Sequence, residues 1–201
     1  RWANFIHIYQ PADQSRSILD AVVNQSYRRI FAGLAKIPSF KLTLGINGAL
    51  TELLARYGYG DVVDFIRKLA RDGKLEFTES AMYHAFLPFL NEREIERQIR
   101  KNHAGNRKYF GAAYAPKCFF PPEMAYSENI IPVIENLGFQ WILLDEIAAT
   151  GEPGQVDYTK TYQIENSKLK VFLRERRLSN LIMSAVVRSP ETLREAMRDD
   201  L

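Results

Sequence analysis

The stretch Val62-Val63-Asp64-Phe65-Ile66-Arg67-Lys68-Leu69-Ala70-Arg71-Asp72-Gly73-Lys74-Leu75-Glu76-Phe77 decides the fold class. Its apolar residues recur at helical spacing from Val62 to Ala70, Asp72-Gly73 supplies a stop, and Leu75 to Phe77 follows at once as a short strand. The same alternation extends in both directions. Upstream, Ala3 to Ile8, a helix-like Ile18 to Leu34 and Phe40 to Leu44 form a βαβ opening, and Gly58-Tyr59-Gly60 reads as a helix-to-helix turn. Downstream, a helix over Glu92 to Tyr109 leads to a strand at Cys118 to Phe120. After Pro121-Pro122, a helix over Ile130 to Leu137 ends at Gly138, and Trp141 to Leu144 is the next strand.

Residues Asp145 to Tyr158, with Gly151, Pro153 and Gly154, form the longest expected loop, and Thr161 to Ile164 pairs with Leu169 to Leu173 as a hairpin or as paired strands. Ser189-Pro190-Glu191 starts a last helix, serine as N-cap and proline in the first turn, and about one to two turns remain before Leu201. Strands alternating with helices predict an α/β fold with a mainly parallel sheet or barrel. Its roughly five or six strands fall short of the ~250 residues usual for an eight-stranded barrel. Residues 1–201 thus read as the N-terminal portion of a single domain, truncated at its C-terminus.

Composition narrows the function classes. A chain of 201 residues that is 46% hydrophobic and 12% aromatic can bury a sizeable core, which excludes disorder. Lysine and arginine number 27 against 24 acidic residues, with both signs interspersed, so no nucleic-acid partner is expected. The basic residues that crowd together, Arg93, Arg97, Arg100 and Lys101, alternate with Glu92, Glu94 and Glu96 as a solvated helix face. Cys118 is the one cysteine, which leaves no intrachain disulfide, suits a cytoplasmic location and favours a packing role. No apolar run approaches the roughly 20 residues of a spanning helix, so no membrane partner is expected, and no signal peptide opens the chain. The first residue is Arg1 rather than methionine, which leaves a lost leader open.

Three clusters could carry chemistry, each at the end of an expected strand. Phe119-Phe120-Pro121-Pro122-Glu123-Met124-Ala125-Tyr126 delivers a carboxylate from a proline-stiffened turn, the position of catalytic groups in a barrel. By spacing alone, a glutamate after Pro-Pro is more often an exposed turn residue. His7-Ile8-Tyr9-Gln10-Pro11 offers a histidine for a sugar hydroxyl or a carboxylate, and a structural hydrogen bond fits as well. Glu76-Phe77-Thr78-Glu79-Ser80-Ala81-Met82-Tyr83-His84 interleaves aromatic and polar groups as a pyranose requires, with core packing of Tyr83 the plain alternative. His7, His84 and His103 have no zinc-ligand spacing, and there is no nucleophile elbow, phosphate loop or dinucleotide fingerprint.

In their order, His7 to Pro11, Gly73 to His84, Pro121 to Tyr126 and Gly138 to Glu146 resemble glycoside hydrolase family 57. The resemblance runs from Asn4 to about Ser189 and takes in Phe40 to Leu54 and Val171 to Ile182. It implies an incomplete, irregular (β/α)7 TIM-like barrel and retaining cleavage or transfer of α-glucosidic bonds, α-1,4 or α-1,6, in an α-glucan or maltooligosaccharide, with no cofactor. Glu123 falls at the family's nucleophile, and His7, Gln10, Glu79, Tyr83, His84, Trp141 and Asp145 fall at substrate-binding positions. A turn-capping role for Asp145 is equally open. Tyr9 stands where a second histidine is common, and Glu79 where amylase-like members often have glycine.

The family's acid/base aspartate lies in a motif resembling Met-Asp-x-Glu-Thr-Phe-Gly, which is absent here. Neither Asp199 nor Asp200 has that context, so the acid/base is expected beyond Leu201 and the 201-residue piece alone is expected to be inactive. A metal-dependent carbohydrate deacetylase and a non-catalytic glucan-binding relative are the rival readings.

Overall fold

The computed structural model describes residues 3–184 and 189–198, so the expectation for Asp199 and Asp200 lies outside the described residues. Strands β1 (Phe5–Ile8), β2 (Leu42–Ile46), β3 (Leu75–Glu79), β4 (Cys118–Phe119), β5 (Trp141–Asp145), β6 (Tyr162–Gln163) and β7 (Lys170–Arg174) form one sheet. Its order is β1-β2-β3-β4-β5-β7-β6, parallel throughout except that β6 runs antiparallel to β7. The sheet has seven strands rather than five or six because the expected hairpin adds the two-residue β6 as an edge. β4 is only two residues long, since Pro121 has no N–H to continue a ladder.

The helices follow the sequence pattern with several additions. The helix expected over 18–34 is α1 (Arg16–Val22) and α2 (Arg28–Ala35) joined through a π-helical turn, Val23–Tyr27, that buries both Val23 and Tyr27. α3 (Gly48–Arg56), read from the sequence only as whatever precedes the Gly58 turn, starts directly after β2. α4 (Gly60–Arg71), α5 (Glu92–Phe110) and α6 (Ile130–Asn136) lie where periodicity put them. A four-residue α7 (Ile147–Thr150) interrupts the expected long loop, and α8 (Arg176–Met183) follows β7. α9 (Pro190–Ala196) begins at Ser189, whose hydroxyl accepts from the Thr192 N–H as a cap.

Parallel register sorts the strand residues onto two faces. Leu42, Leu44, Ile46, Leu75 and Phe77 are buried with side chains of α1 to α4 in one apolar cluster. Phe119, Ile142, Leu144 and Val171 are buried with those of α5 and α6 in a second. A fully buried leucine or isoleucine stabilises by roughly 1.5–3 kcal/mol, so these clusters fix which face turns inward to the helices. The opposite face carries His7, Gly45, Thr78, Cys118 and Trp141, which stand side by side in register. Burial, and secondarily Glu76, pushes the Cys118 thiol up to about 12, so it packs as a neutral group.

Candidate active site

The carboxyl ends of the parallel strands share one mouth, and two loops meet there. The first follows β3. The Asn47 amide donates to the Ala81 carbonyl, Met82 N–H donates to the Gln98 carbonyl at 3.2 Å, and Tyr83 N–H donates to the Gln98 side chain at 3.3 Å. These bonds tie the loop to the start of α3 and to α5. The second loop follows β4, where Phe120 N–H donates to the Glu79 carbonyl at 2.8 Å and Met124 N–H to the Pro121 carbonyl at 2.8 Å.

Between them, His84 Nε2 lies 2.9 Å from Glu123 Oε1. Two consecutive non-glycine residues in the second loop have left-handed backbone, Glu123 at φ 59° and Met124 at φ 53°, and His84 has φ 54°. Each such residue costs about 1–2 kcal/mol, and strain of this kind gathers where a side chain must be aimed. The fourth non-glycine residue with positive φ among the described residues is Asn166, in the hairpin turn. Glu123 keeps 72% of its side chain exposed while the His84 side chain is only 13% exposed, so a shielded imidazole steadies an open carboxylate.

Behind His84 lies His7, its Nε2 at 3.3 Å from His84 Nδ1. The His7 ring packs against Phe120 at 4.7 Å between centroids, and Tyr9 stacks on His84 at 4.5 Å with planes 19° apart. Tyr9 thus covers part of the His84 imidazole with its ring. Burial, then the proximity of His84, lowers the His7 pKa to about 3, so this ring is neutral. His7 fits because position 45 has no side chain: a Cβ there would stand 2.6 Å from His7 Nδ1 and 3.1 Å from Thr78 Oγ1. Gly45→Ala is therefore expected to push His7 off this position and to destabilise the fold by about 1–3 kcal/mol, measured by urea unfolding.

The other expected site residues divide. Tyr83 is 43% exposed in the His84 loop, near the exposed Phe86 and Phe89, whose ring centroids are 4.9 Å apart. Gln10 donates to the Tyr27 hydroxyl, which partly offsets the rise that burial imposes on that phenol. Asp145 ends β5 at the mouth but is committed twice, to the Arg176 guanidinium at 2.8 and 2.9 Å and to the Ile147 N–H at 3.1 Å. The turn-capping alternative thus accounts for part of its bonding. Beside it, Glu146 is buried and accepts from the Gly154 N–H at 2.8 Å.

Two residues are not brought to the mouth. Trp141 opens β5 at its amino end, about 13 Å along the strand from Asp145, stacked on Phe172 at 4.5 Å. Glu79 corrects the expectation of a sugar-binding residue: its register with Phe119 turns it to the helix side, where it is wholly buried. There its carboxylate accepts from Asn102 Nδ2 at 2.5 Å, His103 Nδ1 at 2.9 Å, the Tyr114 hydroxyl at 2.9 Å and the Ser80 N–H at 3.2 Å. His103 is thereby on the opposite face from the His7 and His84 pair.

Sequence reading missed this network. The signal was present as Gln98, Asn102 and Asn106, polar residues four apart on α5 that are all buried, on a helix whose other, solvated face carries the Arg97–Glu94 and Arg100–Glu96 pairs. Asn102 also accepts from the Gly48 N–H at 2.6 Å, and Asn106 from the Thr51 hydroxyl at 2.6 Å.

Several known proteins are similar to this chain. A 1,4-alpha-glucan branching enzyme of Thermococcus kodakarensis is 30% identical over 154 residues, covering 63% of this chain and 22% of that protein. Alpha-amylase 1 of Dictyoglomus thermophilum is 21% identical over 141 residues, 70% of this chain and 20% of that one. The crystal structure of a 4-alpha-glucanotransferase from Thermococcus litoralis superposes with a TM-score of 0.79 at 21% identity, covering 90% of this chain and 28% of that chain. The fold is therefore the TIM-like barrel type, and this chain spans about a fifth of the length of these two curated relatives. Residues 7–195 match the description "Glycosyl hydrolase family 57", a span that begins at the histidine behind His84 and takes in both loops of the mouth. By that match the chain belongs to glycosyl hydrolase family 57.

Proposed function

We propose that the protein is a retaining enzyme of α-glucans, hydrolase or transferase, in which the Glu123 carboxylate attacks the anomeric carbon. The observation that carries this reading is the open, strained Glu123 held at 2.9 Å by a shielded imidazole. Attack forms a bond from the glutamate oxygen to the sugar carbon, and the glycosidic oxygen leaves with a proton. Water or a second glucan hydroxyl then takes the sugar from the ester.

Exposed Tyr83, Phe86 and Phe89 offer ring faces suited to the apolar side of a pyranose, and the names of the family relatives favour maltooligosaccharides and longer α-glucans. The reaction also needs a protonated carboxyl roughly 5–5.5 Å from the nucleophile. Glu79 and Glu146 are buried and hydrogen-bonded, and Asp145 is paired with Arg176. None of these offers the role among the described residues, so we infer that residues 1–201 by themselves do not turn over glucan.

Trapping tests the reading. A fluorinated α-glucosyl fluoride incubated with the complete protein should leave a single glycosyl ester on the peptide containing Glu123, and proton NMR should show the α-anomer of the product first. A label on another residue, or the β-anomer first, would sink it. Glucan binding with neither label nor turnover would favour a non-catalytic binder.

A further inference from the structure

His7 was expected to touch sugar, yet its surroundings suit a different task. A carboxylate can only accept, so the nitrogen that His84 turns to Glu123 must carry a proton. A neutral His84 then presents a lone pair at Nδ1, and the group facing that lone pair at 3.3 Å is His7 Nε2. Two lone pairs would repel there, whereas an N–H on His7 Nε2 completes a chain of donors that all point at Glu123. The His7 ring is held for this by Phe120 on one side and by the absent side chain of Gly45 on the other.

Its second nitrogen is then an acceptor. His7 Nδ1 and Thr78 Oγ1 are both buried without a protein hydrogen bond, and both border the space a Cβ on Gly45 would take. Thr78 Oγ1 carries a hydroxyl donor and His7 Nδ1 an acceptor lone pair, so the two match in polarity.

We propose that His7 is a positioning residue: its Nε2–H donates to His84 Nδ1, fixes His84 as the Nε2–H tautomer, and so keeps that N–H on the Glu123 carboxylate. The consequence for turnover rests on the reading of Glu123 as nucleophile, while the tautomer itself does not. Without His7, His84 is free to place its one proton on Nδ1, which turns a lone pair toward the carboxylate and lets Glu123 leave its attack position.

Nitrogen-15 NMR of the histidine rings in the complete protein tests this, with His84 assigned by its disappearance in His84→Gln. At neutral pH the parent should show His84 protonated at Nε2 alone. His7→Leu should give a mixture of tautomers and a 10- to 100-fold lower kcat on maltooligosaccharides with KM unchanged. His7→Gln, whose amide N–H reaches the place of Nε2–H, should restore the tautomer and most of kcat.

A parent His84 protonated on both nitrogens, or a tautomer unchanged in His7→Leu, would overturn the proposal. So would a raised KM at constant kcat, the mark of a sugar ligand. If Glu123→Gln proved fully active while the tautomer shift was seen, the nucleophile reading would fail and the positioning of His84 would stand.

Discussion

Glu79→Ala is expected to destabilise the protein by about 3–5 kcal/mol, lowering its melting temperature by roughly 10–15 °C. The carboxylate is completely buried and takes hydrogen bonds from Asn102, His103, Tyr114 and the Ser80 N–H. Truncation leaves several of those donors without a partner in a dry interior, and each such orphan costs about 1–3 kcal/mol. Glu79→Gln keeps the shape and half of the acceptor capacity, so about half the loss is expected.

The network also gives a pH signature. The hydrogen bond to Glu79 raises the His103 pKa above its ordinary value, with burial opposing. A raised folded value means that the contribution is complete below the unfolded value of about 6.5 and is lost as pH rises through the folded one. Thermal melts from pH 5 to 9 should therefore show that decline in the parent and its absence in Glu79→Ala. An alanine variant that melts within 2–3 °C of the parent, roughly 1 kcal/mol, would refute the structural role.

Glu123→Gln is expected to lower kcat on maltooligosaccharides by a factor on the order of 10^4 or more in the complete protein, with the fold intact. The amide occupies the same volume and can still take a hydrogen bond from His84 Nε2 through its carbonyl, so circular dichroism should not change. What it lacks is a nucleophilic lone pair able to form a glycosyl ester. In Glu123→Ala, azide supplied in solution should restore part of the rate and give a β-glycosyl azide, because a small anion can enter the space that the shortened side chain leaves open on that face. A variant retaining more than a tenth of the parent kcat would remove Glu123 from the chemistry.

The fold was legible wherever one face of an element was apolar at a single period. Val62, Val63, Ile66 and Leu69 announced α4, and Gly73 its end, and Ser189 marked the start of α9. The mouth was legible as strand ends: His7, His84 and Glu123, far apart in sequence, do meet. What one strand could not reveal was direction. Glu79 and Thr78 are neighbours in the chain and face opposite layers, and only pairing with β4 decides which residue faces the helices. Trp141 shows a related limit, since a motif locates a strand without saying at which end of it a residue stands. The buried polar stripe of α5 was hidden because the abundant charges of the same helix dominate its average character.

The order of the sheet has a consequence for how the chain reaches its native state. Every parallel pairing joins residues far apart, the shortest reach being Cys118 to Trp141 and the longest Thr78 to Cys118. Such non-local pairings form slowly, after the loop-closure entropy has been met. Yet from β1 to β5 the spatial order repeats the order of the chain, so a polypeptide emerging from the ribosome offers each new strand an edge that is already in place. Among the described residues only the β6–β7 hairpin breaks the sequence, and it is the one local pairing there. Growth in one direction, strand by strand, spares this parallel sheet a search among alternative neighbours.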